Sequence, residues 1–114
     1  MNRLEIELSF SKLVMEITQI GEDKLIAIFG GDNPHIGSAV LSVPRASLTG
    51  DGHISATSSV LNVTGHKDDE ICRMIAERIA SRENCRVVCT GGFHVDNITP
   101  FQIKELMDKI KDAL

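Results

Sequence analysis

The fold is decided by residues 71–90, ICRMIAERIASRENCRVVCT, in which a helical pattern is followed directly by a strand pattern. Apolar residues recur at helical spacing over residues 71–79, which predicts an amphipathic helix with one buried stripe. Acidic residues 68–70 precede the stripe, where the helix dipole favours negative charge. After the helix, residues 86–90 are typical of a strand. Because a helix is the usual connection between two parallel strands, we expect a right-handed parallel crossover here.

The chain before this helix predicts five strands. Strict alternation over residues 3–10 indicates the first, and a change of parity at Ser11–Lys12 places a turn before the second. A hairpin turn at 21–24 leads into the continuous apolar run 25–29, which predicts a strand buried on both faces. The remaining two strands are predicted at 36–43 and 54–63, with an irregular loop at 44–53 between them.

A second helix is predicted after residue 98. Thr99 is a good N-cap, Pro100 suits the first helical position, and Gln102 completes a capping box. Its expected buried stripe is Ile103, Leu106, Met107, Ile110 and Leu114. The predicted order is therefore βββββαβα, an α+β fold in which two helices cover a largely antiparallel sheet of about six strands. We expect residues 1–114 to form a single domain.

Composition excludes several classes of protein. Apolar residues make up 42% and charged residues 25% of the 114 residues, which excludes a largely disordered chain. There is no long apolar run for a membrane span, and the charged start does not fit a signal peptide, so we expect a cytoplasmic protein. A net charge of -4, with Phe as the only aromatic residue, argues against nucleic acid as a partner. Three cysteines without a CxxC motif, Cys72, Cys85 and Cys89, indicate reduced thiols.

Three histidines lie in loops that are rich in glycine or acidic residues. These are His35 in GGDNPHIG (30–37), His66 in GHKDD (65–69) and His94 in GGFHVDN (91–97). If the first five strands form a meander, the third, fifth and sixth strands run in the same direction, and all three loops meet at one sheet edge. Glycine lets the backbone approach a ligand, and loop amides together with Lys67 can hold phosphate. The loops therefore predict a site for an anion or a cofactor.

Other interpretations of these loops remain open. Each histidine alone is more often a turn or packing residue than a ligand. A metal site would combine the three histidines with Asp32, Asp69 or Asp96, but the spacing matches no metal-binding motif, and we predict no metal. Neither a GxGxxG nor a GxxxxGK[ST] motif is present, which disfavours a Rossmann or P-loop nucleotide site.

Three segments resemble one known family. They are GGDNPHIGSAVLSVPRASL (30–48), SATSSVLNVTGHKDDEICRMIAERIA (55–80) and GGFHVDNI (91–98). Their order and spacing are similar to those of the LpdD-like prenylated-flavin chaperone family, which includes the small D subunit that accompanies gallate-type, UbiD-related decarboxylases. The resemblance runs from about residue 25 to residue 105.

The resemblance implies a non-catalytic accessory protein. Such a protein would bind prenylated FMN and deliver it to an apo UbiD-type decarboxylase that acts on hydroxyarylic acids. The implied fold is similar to that of the small proteasome-assembly chaperones, which are dimers, so a homodimer is expected. The implied cofactor-binding residues are His35, Gly37, His66, Lys67, His94 and Asp96 from the motifs, with Arg45 as a phosphate candidate and Phe93 against the ring system.

Two other function classes stay open at this point. The chain could be a cofactor-free dimeric assembly chaperone or protein-interaction module, whose histidine loops are contact surface or fold-determining turns. It could also be a small enzyme that depends on histidine or on a metal.

Overall fold

The computed structural model describes residues 2–63 and 68–114, which form six strands and two helices. The strands are β1 (Asn2–Glu7), β2 (Lys12–Ile20), β3 (Asp23–Gly31), β4 (Ser38–Ala46), β5 (Ile54–Asn62) and β6 (Val87–His94). The helices are α1 (Asp69–Glu83), between β5 and β6, and α2 (Pro100–Ala113). The predicted order βββββαβα and the α+β class are confirmed.

The sheet has the strand order β1-β2-β3-β6-β4-β5. The predicted meander is therefore wrong at one point, because β6 lies between β3 and β4. The strand directions are nevertheless as expected. β6 is parallel to β3 and antiparallel to β4, and β5 is antiparallel to β4. The carboxyl ends of β3, β5 and β6 thus lie at one edge of the sheet.

The glycines after the apolar part of β6 belong to the strand, not to a loop as predicted. β6 continues to His94 because β3 supplies backbone partners along its whole length, with Phe29 opposite Gly92 and Gly31 opposite His94. Gly91 has a φ of 134°, which residues with a Cβ rarely adopt, and an added Cβ would overlap the Ile28 carbonyl oxygen. Glycine is therefore required where β6 passes β3. β4 likewise extends to Ala46, beyond the predicted start of a loop.

Both helices contribute to a core on one face of the sheet. Ile26 and Ile28 of β3 are buried in the same cluster as Ile75 of α1 and Leu106 of α2. Leu25, which precedes Ile26 and points to the other face, is exposed. The run 25–29 is thus buried on alternate residues only, which corrects the prediction of a strand buried on both faces. The uncovered side, called the open face below, carries Leu25, Ala27, Phe29, Leu41, Val43 and Val88.

The helix starts differ in how they are stabilised. The predicted capping box of α2 is present, with Thr99 and Gln102 exchanging hydrogen bonds of 3.1 and 2.9 Å. Glu105 further ties α2 to the β1–β2 turn by accepting hydrogen bonds from the amide and hydroxyl of Ser9. Neither of the two helices that the structure describes has the length and apolar character needed to cross a membrane.

The cysteines are free and buried. The Cys72 thiol on α1 and burial together raise the pKa of the Cys89 thiol on β6 well above its ordinary value. A raised pKa keeps a thiol protonated and unreactive. A packing role, as the sequence predicts, fits this environment.

We expect Gly91→Ala to lower the free energy of unfolding by about 3 kcal/mol, because it combines an unfavourable φ with a backbone clash. Gly50→Ala is the matched control, since Gly50 has a φ of 69° but nothing within 4 Å of an added Cβ. It should cost about 1 kcal/mol. Urea unfolding monitored by circular dichroism measures both, and equal losses would contradict the close packing of β6 on β3.

Candidate functional site

The loops at the carboxyl ends of β3 and β6 are held together by backbone hydrogen bonds. The Asp32 amide donates to the His94 carbonyl at 2.6 Å, and the Gly37 amide donates to the Gly91 carbonyl at 2.9 Å. The Val63 amide, just after β5, donates to the Gly37 carbonyl at 2.9 Å. The ends of the three strands that were expected to meet at one edge are thus physically linked.

A cavity of about 660 Å³ opens at this edge, between the start of α1, the end of β6 and the first half of α2. Its polar lining consists of His35, Asp68, Glu70, His94 and Asn97. Its apolar lining consists of Ile71, Phe93, Val95, Ile98, Ile103, Leu106 and Met107. One side of the cavity is therefore polar, and the side formed largely by α2 is apolar.

Asp68 joins three parts of the chain at the polar side. One carboxylate oxygen, Oδ2, is 2.9 Å from Nε2 of His35, and the other, Oδ1, accepts a hydrogen bond of 2.9 Å from the Phe93 amide. Asp68 precedes α1 but makes no side-chain capping hydrogen bond to it. Its side chain is only 6% exposed. A buried carboxylate needs such partners, so it fixes the His35 loop, β6 and α1 relative to one another.

Two glycines leave the room that this arrangement needs. A Cβ at Gly37 would overlap Oδ2 of Asp68, and a Cβ at Gly92 would lie against the imidazole ring of His35. The glycines of the predicted loops thus bring the backbone close to protein side chains. Their role in the described structure is to seat His35 and Asp68.

The two ring nitrogens of His35 both face hydrogen-bond acceptors. Nδ1 is 2.8 Å from the Asn33 carbonyl oxygen, and Nε2 faces the Asp68 carboxylate. Both contacts are satisfied together only when each nitrogen carries a proton, which is the imidazolium cation. The hydrogen bond to Asn33 raises the pKa of His35, burial opposes this, and the Asp68 carboxylate raises the pKa further. The polar side of the cavity therefore favours a positive charge at His35.

His94 lies at the mouth of the cavity. Its Nε2 is 2.8 Å from Oδ1 of Asp96, and both side chains are exposed. The Asp96 amide donates to Oδ2 of Asp32 at 3.3 Å, which ties the loop after β6 to the loop after β3. His94 is thus oriented by a carboxylate while remaining accessible from solvent.

A comparison with models of known protein families tests the family resemblance that the three motifs suggest. The family model for the prenylated flavin chaperone LpdD-like domain matches residues 9–114. The chain belongs to the LpdD-like family. No curated protein matches it.

Within this LpdD-like domain, several of the predicted site residues are brought together. His35, Phe93 and His94 line the cavity, while Gly37 and Asp96 contact lining residues. Two predicted residues, His66 and Lys67, lie outside the described residues. Two of the three predicted histidine loops can therefore be placed, and they share one cavity.

Arg45 is not part of this group. It lies near the opposite end of β4, about 23 Å along the strand from Ser38 at the cavity edge. Its guanidinium donates to the Thr57 hydroxyl at 2.7 Å and to the Ala46 carbonyl at 3.1 Å. Strand β4 is longer than the sequence analysis predicted, and its last residues carry Arg45 away from the loops.

Sequence reasoning predicted Phe93 in the apolar lining but missed the part of that lining that α2 supplies. Ile103, Leu106 and Met107 were interpreted only as the buried stripe of α2, yet they also form a cavity wall. A signal was available, because α2 begins only a few residues after His94 and must cover the end of β6.

No group of three or more metal-ligating side chains that could hold a metal occurs within residues 2–63 and 68–114.

We expect His35 to titrate above its ordinary pKa of 6.5, and this can be followed by NMR of the imidazole carbons. Because the folded-state pKa is raised, the stabilisation from protonated His35 is complete below pH 6.5 and is lost as the pH rises through the folded-state pKa. Asp68→Asn removes one cause of the shift and should lower the pKa of His35. An unchanged titration in this variant would contradict the charged contact between the two residues.

Proposed function

We propose that this protein binds prenylated FMN in the cavity and delivers it to an apo UbiD-type decarboxylase, without catalysing a reaction of its own. The observation that carries the proposal is the 660 Å³ cavity with one apolar and one polar side, formed where the family motifs meet. Its volume lies within the range of about 300 to 1,000 Å³ typical of small-molecule sites. Membership of a flavin-chaperone family supports the choice of ligand.

The apolar side suits the dimethylbenzene ring and the prenyl-derived ring of a prenylated isoalloxazine, whose pyrimidinedione ring is polar. Ile98, Ile103 and Met107 would contact it from α2 and from the loop before it, and Phe93 would contact it from β6. Phe93 is itself held by an edge-to-face contact with Phe10, with ring centroids 6.2 Å apart. The prenylated flavin carries the chemistry that the decarboxylase uses, and the residues of this chain bind, orient and shield its ring.

The phosphate of the cofactor fits the described interior of the cavity less well than the ring system does. The described lining contains the carboxylates of Asp68 and Glu70 and no Lys or Arg. These carboxylates disfavour a phosphate deep in the polar side. We therefore place the phosphate near the mouth, with His94 and, from the family motif, His66 and Lys67 as its candidate partners. The position of Arg45 does not support a role in this site.

The proposed binding is suited to transfer. A carrier must hold its cargo without the full set of charged contacts that the receiving enzyme offers, because otherwise release would be slow. Here the apolar contacts with α2 retain the ring, and the cation at His35 is already neutralised by Asp68. Release therefore requires no buried ion pair with the phosphate to be broken.

We expect Ile103→Glu to weaken binding of prenylated FMN at least about 10-fold, because it places a carboxylate in the apolar wall facing an anionic ligand. Purified protein is mixed with the cofactor and passed over gel filtration, and the visible spectrum of the protein fraction is recorded. Ile20→Glu is the matched control, since Ile20 is an exposed isoleucine outside the cavity.

The same samples test the function itself. Wild-type protein should carry the cofactor through the column and activate an added apo-decarboxylase. A colourless protein fraction with no activation would refute the proposal. Equal retention by both variants would refute this cavity as the binding site.

A second candidate function, a cofactor-free dimeric assembly module, is favoured by the open face. The open face carries exposed or half-buried apolar side chains in neighbouring strands, including Leu25, Leu41 and Val43. The whole six-strand face, with strands about 4.8 Å apart and about 30 Å long, measures on the order of 700 Å², close to the roughly 800 Å² that each partner buries in a stable complex. Its apolar part lies on β3, β6 and β4, and the same face of β1 and β2 carries the ion pairs Arg3–Glu16 and Lys12–Glu5. We propose that a second copy of the chain covers this face, and such a homodimer is compatible with either function.

We expect Leu41→Lys to shift the protein from dimer to monomer, because a lysine on the open face of β4, between β6 and β5, would be buried without a partner. Light scattering after gel filtration measures the mass. Leu48→Lys, at a residue that is 87% exposed and outside the sheet, should leave the dimer intact. A wild-type monomer, or dimers in both variants, would refute this interface.

A further inference from the structure

The two helices are attached to the sheet unequally. α1 buries six of its residues, and its Glu77 also accepts a hydrogen bond of 2.6 Å from the Ser58 hydroxyl of β5. α2 is nearly as long but buries only Leu106 and Ile110. Because helices in proteins are held mainly by the packing of their apolar face, α2 is the more weakly attached of the two.

Among the described residues, α2 has one hydrogen-bonded connection to the rest of the protein. In this connection the hydroxyl of Ser9, in the β1–β2 turn, donates to Oε1 of Glu105 at 2.7 Å, and the Ser9 amide donates to Oε2 at 2.8 Å. The other polar contacts of α2 lie within the helix and its cap, such as the pair Lys104–Asp108. We call the contact between Ser9 and Glu105 the latch.

The latch lies on a turn that is itself fixed beside the cavity. On one side of Ser9, Leu8 is buried in the core, and on the other side, Phe10 contacts Phe93 of the cavity lining. The Leu8 amide donates to the Ser11 carbonyl at 2.9 Å, which closes the turn. The turn therefore provides a fixed point against which the latch holds α2.

α2 also forms one wall of the cavity, so its position determines how open the cavity is. Ile103, Leu106 and Met107 line the cavity from α2, yet Ile103 is 43% exposed, which shows that this wall is not sealed. The connection from β6 to α2 is residues 95–99, and it contains Asn97 in the left-handed conformation, with a φ of 55°. Hinges are typically a few such residues next to the end of a helix or strand.

We propose that α2 is a hinged gate, which swings away from the sheet when the latch breaks and so lets the flavin enter and leave the cavity. The proposal rests on the proposed function for the identity of the ligand. The polar side of the cavity is unaffected by this motion, because Asp68 fixes the His35 loop and β6 without a contribution from α2. Opening therefore removes the apolar contacts with the ring and leaves the polar side in place.

The motion is tested without flavin. Ile110→Cys places a thiol on the buried face of α2, outside the cavity lining, and its labelling by a thiol reagent is compared with that of the buried Cys72 and Cys89. Each rate is divided by the rate of the same thiol in unfolded protein, and peptide mass spectrometry assigns the label. We expect the thiol of the Ile110→Cys variant to react at least about 10-fold faster than the native thiols, because α2 opens without global unfolding.

The latch is tested by adding a second substitution. Glu105→Ala should speed labelling of the Ile110→Cys variant about fivefold, because it removes the acceptor of both latch hydrogen bonds. Asp108→Ala is the matched control, since it removes a carboxylate whose partner, Lys104, is on the same helix, and it should change the rate less than about twofold. With Ile110 retained, Glu105→Ala should also release bound prenylated FMN about fivefold faster than Asp108→Ala, as followed by the visible spectrum after dilution.

The outcomes separate the gate from the proposed ligand. Labelling of the Ile110→Cys variant at the rate of the native thiols would overturn the proposal, because α2 would then open only when the whole protein unfolds. Equal effects of Glu105→Ala and Asp108→Ala, or faster labelling without faster release of flavin, would also overturn it. The expected labelling in a protein that binds no prenylated FMN would support the gate and refute the proposed function.

Discussion

The arrangement of the site depends on the placement of one buried carboxylate. Asp68 has a hydrogen-bonded contact with the imidazole of His35 and accepts the amide proton of Phe93, and it is the residue from which α1 departs. Burial of an unpaired carboxylate is costly, so the chain must supply both contacts whenever it is folded. The glycines at 37 and 92 are small for the same reason, since a side chain at either would displace the pair. The polar side of the cavity is therefore formed before any ligand arrives.

Local patterns predicted the elements of the fold well. The capping box at Thr99, the stripe of α1 and the change of parity before Lys12 each depend on residues close together in the chain. The insertion of β6 between β3 and β4 could not be predicted in this way. Hydrophobic periodicity reports which side of a strand faces the core, but it does not report which strand lies beside it. The run at 25–29 was interpreted as buried on both faces because it is apolar throughout and shows no alternation that would mark the uncovered face.

The site was predictable where it followed from strand direction. His35 and His94 share a cavity because β3 and β6 are parallel, so that the loops after both strands lie at one end of the sheet. The crossover through α1 makes β6 parallel to β5, which allowed the direction of β6 to be expected from the sequence. Asp68 was interpreted as a helix-dipole residue, because nothing local indicates that its side chain turns toward residues 33 positions before and 25 positions after it. The apolar wall from α2 depends on tertiary packing in the same way. The geometry alone indicates only a small molecule with a polar and an apolar part. Membership of the LpdD-like family, a family of prenylated flavin chaperones, narrows the class of ligand to flavins.

The central position of β6 has a consequence for how the chain acquires its structure. Among the strands that the structure describes, β1 to β3 form one antiparallel unit, β4 with β5 forms another, and β6 joins the two. As the polypeptide leaves the ribosome, both units are complete while the inner edges of β3 and β4 still lack a neighbour. Those unpaired edges are where nascent chains associate wrongly with each other. The last strand to be synthesised therefore closes the sheet and pairs both inner edges in one step, and α2, which follows it, then completes the ligand cavity.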